Sequence, residues 1–296
     1  MFKNFLSLIL MLTASTAALA SWDDHSFALV TSSTPAADFG VGSELAARRQ
    51  RLDWRGKPRQ LGDVRTAIGF TYAYTRYEYS NIASRNRDLH FLQIPIVAFG
   101  GSDRWRWQTR IVPGVATSSN VMKDPVNRLT LDDLYTTGEV LFQKQQQSGS
   151  FVFGITHDRR FGQSQTYPKL AWRGASDRFQ WQIGAPDAWL DYQPRDGTTF
   201  SLGAGPAGMQ WHTVRDDFAS DFDYRVRRWD IRLDFRQKLF SRLAVTVFAG
   251  RGLDRRHRFQ ADAPNLIERS ADDAWFAGVS FGWGGVNRFD GYAEAW

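Results

Sequence analysis

The sequence has no cysteine among its 296 residues, so neither disulfides nor thiolate metal sites are available to it. Lysine is scarce: only Lys3, Lys57, Lys123, Lys144, Lys169 and Lys238 occur, and arginine supplies the rest of the 37 cationic residues. Long apolar runs are missing as well. A helical membrane protein needs several stretches of about 20 apolar residues, and the one such stretch lies at the N-terminus. What is abundant is aromatic: 15% of the chain is Phe, Trp or Tyr, with 12 Trp and 22 Phe, which excludes a disordered chain.

The N-terminal stretch reads as an export signal. Lys3 supplies the positive charge, Phe5 to Leu12 the apolar segment, and Ala18-Leu19-Ala20 a small-x-small cleavage site before Ser21. Residues 1–20 are therefore expected to be removed as a signal peptide, and the absence of cysteine after the cleavage site excludes a lipoprotein. The formal net charge of +6 falls to +5 on loss of Lys3. For an exported chain that surplus points to lipid phosphates or anionic solutes rather than nucleic acid.

Beyond the signal the polarity alternates with period two. Trp105, Trp107, Thr109 and Ile111 oppose Arg104, Arg106, Gln108 and Arg110; Trp229, Ile231, Leu233 and Phe235 oppose Arg228, Asp230, Arg232, Asp234 and Arg236. Five successive charges on one strand face need water or each other. A soluble sandwich and a membrane barrel both produce this pattern. Strands of about ten residues, aromatics at strand ends (Trp105, Phe179, Trp229, Trp275, Trp283) and alternation of tight with long connections favour the membrane.

The fold expected is all-β: a transmembrane antiparallel up-and-down β-barrel of about 12 strands, or 12–14. Tight turns fall at Gly100–Asp103, Gln146–Gly149, Gly174–Asp177, Pro194–Gly197 and Phe240–Ser241. The longer connections are expected at Ser80–Arg87, Ser118–Asp132, Gly162–Thr166, Asp216–Asp223 and Asp254–Asp272, with a short one at Pro186-Asp187. This places the barrel over residues 64–283, with Gly203–Gly208 inside one strand and a tail at 284–296. Segment 21–63, with its basic run Arg48–Arg59, is read as a periplasmic arm, a plug or additional strand; were Phe39–Ala46 a strand, fourteen would become possible. Ser102-Asp103-Arg104-Trp105-Arg106-Trp107-Gln108 returns as Ser176-Asp177-Arg178-Phe179-Gln180-Trp181-Gln182, a shared turn chemistry rather than a duplicated domain. Phe276 to Trp283 carries a barrel-closing signature through Gly278, Phe281 and Trp283, the features expected to engage barrel-assembly machinery in the outer membrane of a Gram-negative-type bacterium.

The chain resembles a family of outer-membrane β-barrels recorded as a domain of unknown function. The resemblance rests on His157-Asp158-Arg159-Arg160-Phe161-Gly162, Tyr167-Pro168-Lys169-Leu170, Ser176-Asp177-Arg178-Phe179, Ile183-Gly184-Ala185-Pro186 and Asp191-Tyr192-Gln193-Pro194, and extends more loosely from Gly69 to Trp283. It implies a barrel in the outer membrane and carries no activity.

No nucleophile elbow, phosphate loop or zinc-protease motif is present. Among the five histidines, His157 and His212 are the candidates for a lipid-active site, since His90, His157 and His212 fall near external strand ends and His257 in the last long loop. Asp158 cannot orient His157, because neighbours in a strand face opposite ways. Carboxylates at Asp132-Asp133, Asp216-Asp217 and Asp272-Asp273 match no calcium loop, and no metal or cofactor is expected. Arg159, Arg160, Arg255, Arg256 and Arg258 are candidates for contact with lipopolysaccharide phosphates. Arg104, Arg106, Arg110, Arg228, Arg232 and Arg236, with Asp230 and Asp234, are the expected lumen residues. The leading functional expectation is a narrow passive channel for small, anionic solutes; the alternatives are an outer-leaflet lipid hydrolase or acyltransferase, and a closed structural or lipopolysaccharide-contacting barrel.

Overall fold

The computed structural model describes residues 26–40, 42–81, 87–214, 221–261 and 266–284; the expected signal segment, most of the tail and the loop carboxylates Asp216 and Asp217 lie outside them. The strands are β1 (Ser26–Asp38), β2 (Glu44–Arg55), β3 (Arg59–Leu61), β4 (Val64–Tyr79), β5 (Arg87–Gln93), β6 (Ile96–Gly101), β7 (Trp105–Ser118), β8 (Leu134–Gln146), β9 (Gly149–Asp158), β10 (Gln165–Ala175), β11 (Phe179–Ala185), β12 (Ala188–Arg195), β13 (Thr198–Pro206), β14 (Met209–Val214), β15 (Asp221–Lys238), β16 (Leu243–Ala261), β17 (Leu266–Ala271) and β18 (Ala274–Trp283). Two short helices, α1 (Ser119–Met122) and α2 (Pro125–Arg128), lie between β7 and β8.

Successive staves pair antiparallel, and β1 closes the sheet on β18 from Phe27 opposite Trp283 to Ser33 opposite Ala277. Some staves are broken: β5 and β6 share β4 and β7 as neighbours across an interruption at Ile94-Pro95. β13 with β14, and β17 with β18, likewise continue one another along β15 and β16. The result is a closed barrel of fourteen staves.

Fourteen is the upper end of the expected 12–14 and two more than the central expectation of twelve. Residues from Val64 onward do supply twelve staves, with Gly203–Gly208 at the joint between β13 and β14 of one stave, but the barrel begins at Ser26 rather than at 64. The described part of segment 21–63 is additional strand, the third of its three readings, and neither arm nor plug. Phe39–Ala46 itself is no strand; it spans the turn between β1 and β2 and the first residues of β2. The basic run misleads because its charges alternate. Leu45, Ala47, Arg51 and Asp53 are buried on one face while Arg48 and Gln50 are exposed.

Outward positions carry large apolar side chains that remain exposed on stave after stave, among them Ile68, Ile111, Ile155, Ile183, Leu202, Ile231, Leu233 and Val247. A soluble monomer rarely exposes apolar surface on that scale. A lipid-facing belt accounts for it.

The two repeated turns have the same build. Ser102 N–H donates to the carbonyl of Trp105 at 2.6 Å, and Ser176 N–H to that of Phe179 at 2.8 Å. Each turn is followed by a Trp laid over a cross-strand glycine: Trp107 faces Gly100, and Trp181 faces Gly174. A Cβ on Gly174 would stand 2.2 Å from the Trp181 ring, so glycine is required there by packing.

At the end opposite the tight turns the barrel changes section. Outward of the point where β8 ends, β14 takes its place beside β7, with His212 opposite Thr117 in a parallel bridge. Val214 N–H donates to Ser118 Oγ at 3.3 Å, and Asn120 Nδ2 donates to the Val214 carbonyl at 3.0 Å. The outer tier thus bypasses β8 to β13 and forms a narrower ring. Phe39, Leu45, Tyr77, Tyr79, Leu89, Phe91, Tyr135, Met209, Trp211, Tyr224 and Val226 pack inside it as one apolar core. A narrow ring is filled by its own side chains. Its walls are longer than the sequence suggests, because β16 and β17 pair from Arg255 opposite Ala271 to Gln260 opposite Leu266, within the expected loop Asp254–Asp272.

Candidate functional site

Inward charges below the aromatic tier are arranged by the strand period. A cation and a carboxylate two residues apart share a strand face, and this spacing recurs. On β2, Arg51 Nη2 lies 2.7 Å from Asp53 Oδ1, which also accepts from Thr71 Oγ1 at 2.7 Å. On β15, Arg228 Nε is 2.9 Å from Asp230 and Arg232 Nε is 2.5 Å from Asp234. Arg232 also stacks over the Phe248 ring, 3.8 Å from its centroid. Each pair offsets part of the cost of removing its ions from water, which would otherwise reach several kcal/mol per ion.

The same spacing at the end of β9 builds the largest network. Arg160 Nε donates to Asp158 Oδ2 at 2.8 Å and its Nη1 to Asp187 Oδ2 at 2.9 Å. Tyr167 Oη accepts from Arg160 Nη2 and donates to Asp158, each at 2.5 Å. Gln182 Nε2 donates to Asp187 Oδ1 at 2.6 Å, and Gln182 Oε1 accepts from Arg173 Nε at 2.7 Å. This network lies where β14 leaves the wall: Gly208 N–H donates to the Arg160 carbonyl at 2.6 Å.

Between the aromatic tier and the β15 charges lies a cavity of about 80 Å³. Its inward-pointing charged lining is Arg49, Arg51, Arg228 and Arg232 against Asp230. That volume holds a few water molecules or one small solute.

The expected lumen residues divide. Arg110, Asp230, Arg232 and Asp234 are buried inside the barrel, and Arg228 and Arg236 are half-buried. Arg104 and Arg106 are exposed, Arg104 in the turn before β7 and Arg106 at the tight-turn rim, on the same strand face as Arg110. Of the lipid-phosphate candidates, Arg160 and Arg255 are corrected. They are 3% and 4% exposed: Arg160, in the turn after β9, is held between Asp158 and Asp187, and Arg255 takes the inward face of β16, opposite to its neighbour Arg256. Arg256 is exposed and bonded to Asp254 at 2.9 Å, and Arg258 is half-buried. Arg159 is half-buried over the Tyr135 ring, 4.2 Å from its centroid.

Among the histidines, His257 is fully buried in β16, bonded through Nδ1 to Tyr224 Oη at 2.6 Å, and is not in a loop. His212 is buried, with Asp221 at 3.5 Å and Asp223 at 3.8 Å. His157 shares a 2.9 Å hydrogen bond with Thr166 Oγ1. Among the described residues, neither His157 nor His212 makes a hydrogen bond to a serine. His90 does: its Nε2 is 2.7 Å from Ser119 Oγ and its Nδ1 2.8 Å from Tyr72 Oη. Sequence reasoning missed Ser119, Tyr72, Arg49, Arg51 and Asp53. Only the alternation within the basic run held a readable signal for the last three. Among the described residues no group of His, Asp or Glu is disposed to hold a metal.

A closed antiparallel barrel with an exposed apolar belt and an ion-paired interior is the architecture of membrane-spanning β-barrels. No family model matches the chain, and no curated protein does, so the resemblance drawn from the sequence extends no further than the barrel. Solved structures of similar shape include an outer membrane channel from Pseudomonas putida F1 (9% identity, 89% of this chain and 97% of that chain, TM-score 0.48). The Pseudomonas putida toluene transporter TodX matches at 10% identity over 88% and 89%, with a TM-score of 0.38. LpxR from Salmonella typhimurium matches at 9% identity over 88% and 99%, with a TM-score of 0.37.

Proposed function

We propose that the protein is an outer-membrane channel that passes small anionic solutes through a constricted, arginine-lined lumen and rests closed. The observation that carries this reading is the cavity charge: four inward-pointing arginines and one aspartate line a space the size of a small solute. The apolar outer belt supports a place in the membrane. Short turns at one end and long connections at the other support an orientation with the chain termini in the periplasm. Export by cleavage after Ala20, and recognition of Gly278, Phe281 and Trp283 by the assembly machinery, belong to the same proposal. So does contact of the exposed Arg256 with outer-leaflet phosphates.

The straight outer exit is blocked by the packed tier around Tyr224, which is fully buried. Passage therefore requires opening at that tier or at the Arg160 network beneath the β13–β14 joint. The test is ion selectivity: the reversal potential in a potassium chloride gradient across a planar bilayer. Anion preference is expected for the native chain, shifting toward cations in Arg49→Glu/Arg232→Glu. A selectivity that ignores both substitutions would overturn the assignment of the pathway.

A further inference from the structure

The outward face of β4 and β5 carries a second constellation, outside the lumen. Tyr72 on β4, His90 on β5 and Ser119 at the start of α1 are all partly exposed. Their hydrogen bonds run in series: Ser119 Oγ to His90 Nε2 at 2.7 Å, and His90 Nδ1 to Tyr72 Oη at 2.8 Å. Tyr74, directly opposite His90 in the ladder, holds the Asp88 carboxylate through its hydroxyl. Asp88 lies two residues from His90, on the same face of β5. Along this face the residues change from Ile96 and Ile68, both about half exposed to the belt, through Tyr72 and His90, to Asp88 and Arg76. The constellation therefore stands at the boundary between the apolar belt and the polar outer zone. Ester carbonyls of membrane lipids occupy the same boundary.

We propose that Ser119, His90 and Tyr72 form an acyl-ester hydrolase site acting on long-chain esters of envelope lipids. With the Nδ1 proton donated to Tyr72 Oη, Nε2 is free to accept the Ser119 proton, and Tyr72 is a positioning residue that fixes that tautomer. Ser119 Oγ attacks the ester carbonyl carbon while its proton passes to His90 Nε2. Collapse of the tetrahedral adduct breaks the bond to the alcohol oxygen, which takes the proton from His90. Water then attacks the acyl-serine, giving its proton to His90; the Ser119 oxygen leaves, recovers that proton, and a fatty acid is released. No oxidant, reductant or metal enters the balance. The Asp88 carboxylate favours the imidazolium formed midway. The site is independent of the channel reading, since none of its residues lines the cavity.

The test uses the full chain purified in detergent, with a heat-modifiable gel shift as proof of folding. The probes are a long-chain alkyl fluorophosphonate, vesicles of phosphatidylethanolamine, and purified lipopolysaccharide. Labelling at Ser119 is expected, with fatty acid release from one of the two lipids deciding whether the ester is that of a glycerophospholipid or of an acylated glucosamine. Ser119→Ala abolishes labelling and His90→Gln lowers release by about a hundredfold or more. Tyr72→Phe lowers kcat with KM unchanged, an effect that loss of packing alone would not confine to kcat. A folded native chain that takes up no label and releases no fatty acid overturns the proposal. So does equal labelling of the native chain and Ser119→Ala.

Discussion

Tyr79 and Tyr224, 145 residues apart in the chain, share a hydrogen bond of 2.8 Å between their hydroxyls inside the outer tier. Tyr224 Oη also meets His257 Nδ1 at 2.6 Å, so one hydroxyl ties three staves, β4, β15 and β16, across the mouth of the barrel. Removing that hydroxyl in Tyr224→Phe leaves two buried polar groups short of a partner. The expected cost is about 1–3 kcal/mol. Tyr224→Ala also empties a buried ring's volume, at about 3–5 kcal/mol. Urea titration followed by the heat-modifiable gel shift measures both, and an unchanged midpoint in Tyr224→Phe would contradict the tie.

Arg160 neutralises two carboxylates at once, Asp158 and Asp187. Arg160→Ala is expected to destabilise the barrel by about 3–5 kcal/mol, the cost of leaving buried charges uncompensated. Adding Asp158→Asn and Asp187→Asn should recover part of that loss. If the triple variant is no more stable than Arg160→Ala, the penalty does not arise from unpaired carboxylates.

The outer belt predicts a depth dependence. Ile231→Arg, near the middle of β15 and facing outward, should destabilise the refolded protein by about 2–4 kcal/mol in lipid. Arg256→Ala, in the exposed outer part of β16, should leave stability essentially unchanged, as expected for a surface ion pair. Equal effects at the two positions in vesicles would remove the case for a lipid-facing belt.

Closure of the barrel brings Trp283 opposite both Phe27 on β1 and Leu243 on β16. Phe281→Ser/Trp283→Ser is therefore expected to slow assembly, lowering the folded fraction at a fixed time after dilution into vesicles bearing the assembly machinery. An unchanged folded fraction would separate the closing strand from recognition.

Tight turns and period two were readable because both are local: the two Ser-Asp-Arg turns announce their strands, and Ile231 to Asp234 alternate faces as written. The charged run at Arg48 and the stretch Asp254–Arg258 were misread for one reason. Their charged residues alternate between the lumen, as in Arg51 and Arg255, and the outside, as in Arg48 and Arg256. Charge density in the sequence looks the same for a solvated loop and for a strand whose inward cations are paired. The remaining relationships are non-local. Ser119 meets His90 only because β5 pairs with β7, and His212 reaches Thr117 only because β14 abandons the wall. Nothing in the spacing of those residues along the chain records either event.

Single-channel recording on the folded full chain in a planar bilayer tests the central claim most directly. The account predicts small discrete steps with anion preference, rare in the native chain and more frequent in Arg160→Gln, which loosens the network at the β13–β14 joint. A heat-modifiable, correctly folded protein that carries no current, alone and with Arg160→Gln, would contradict it.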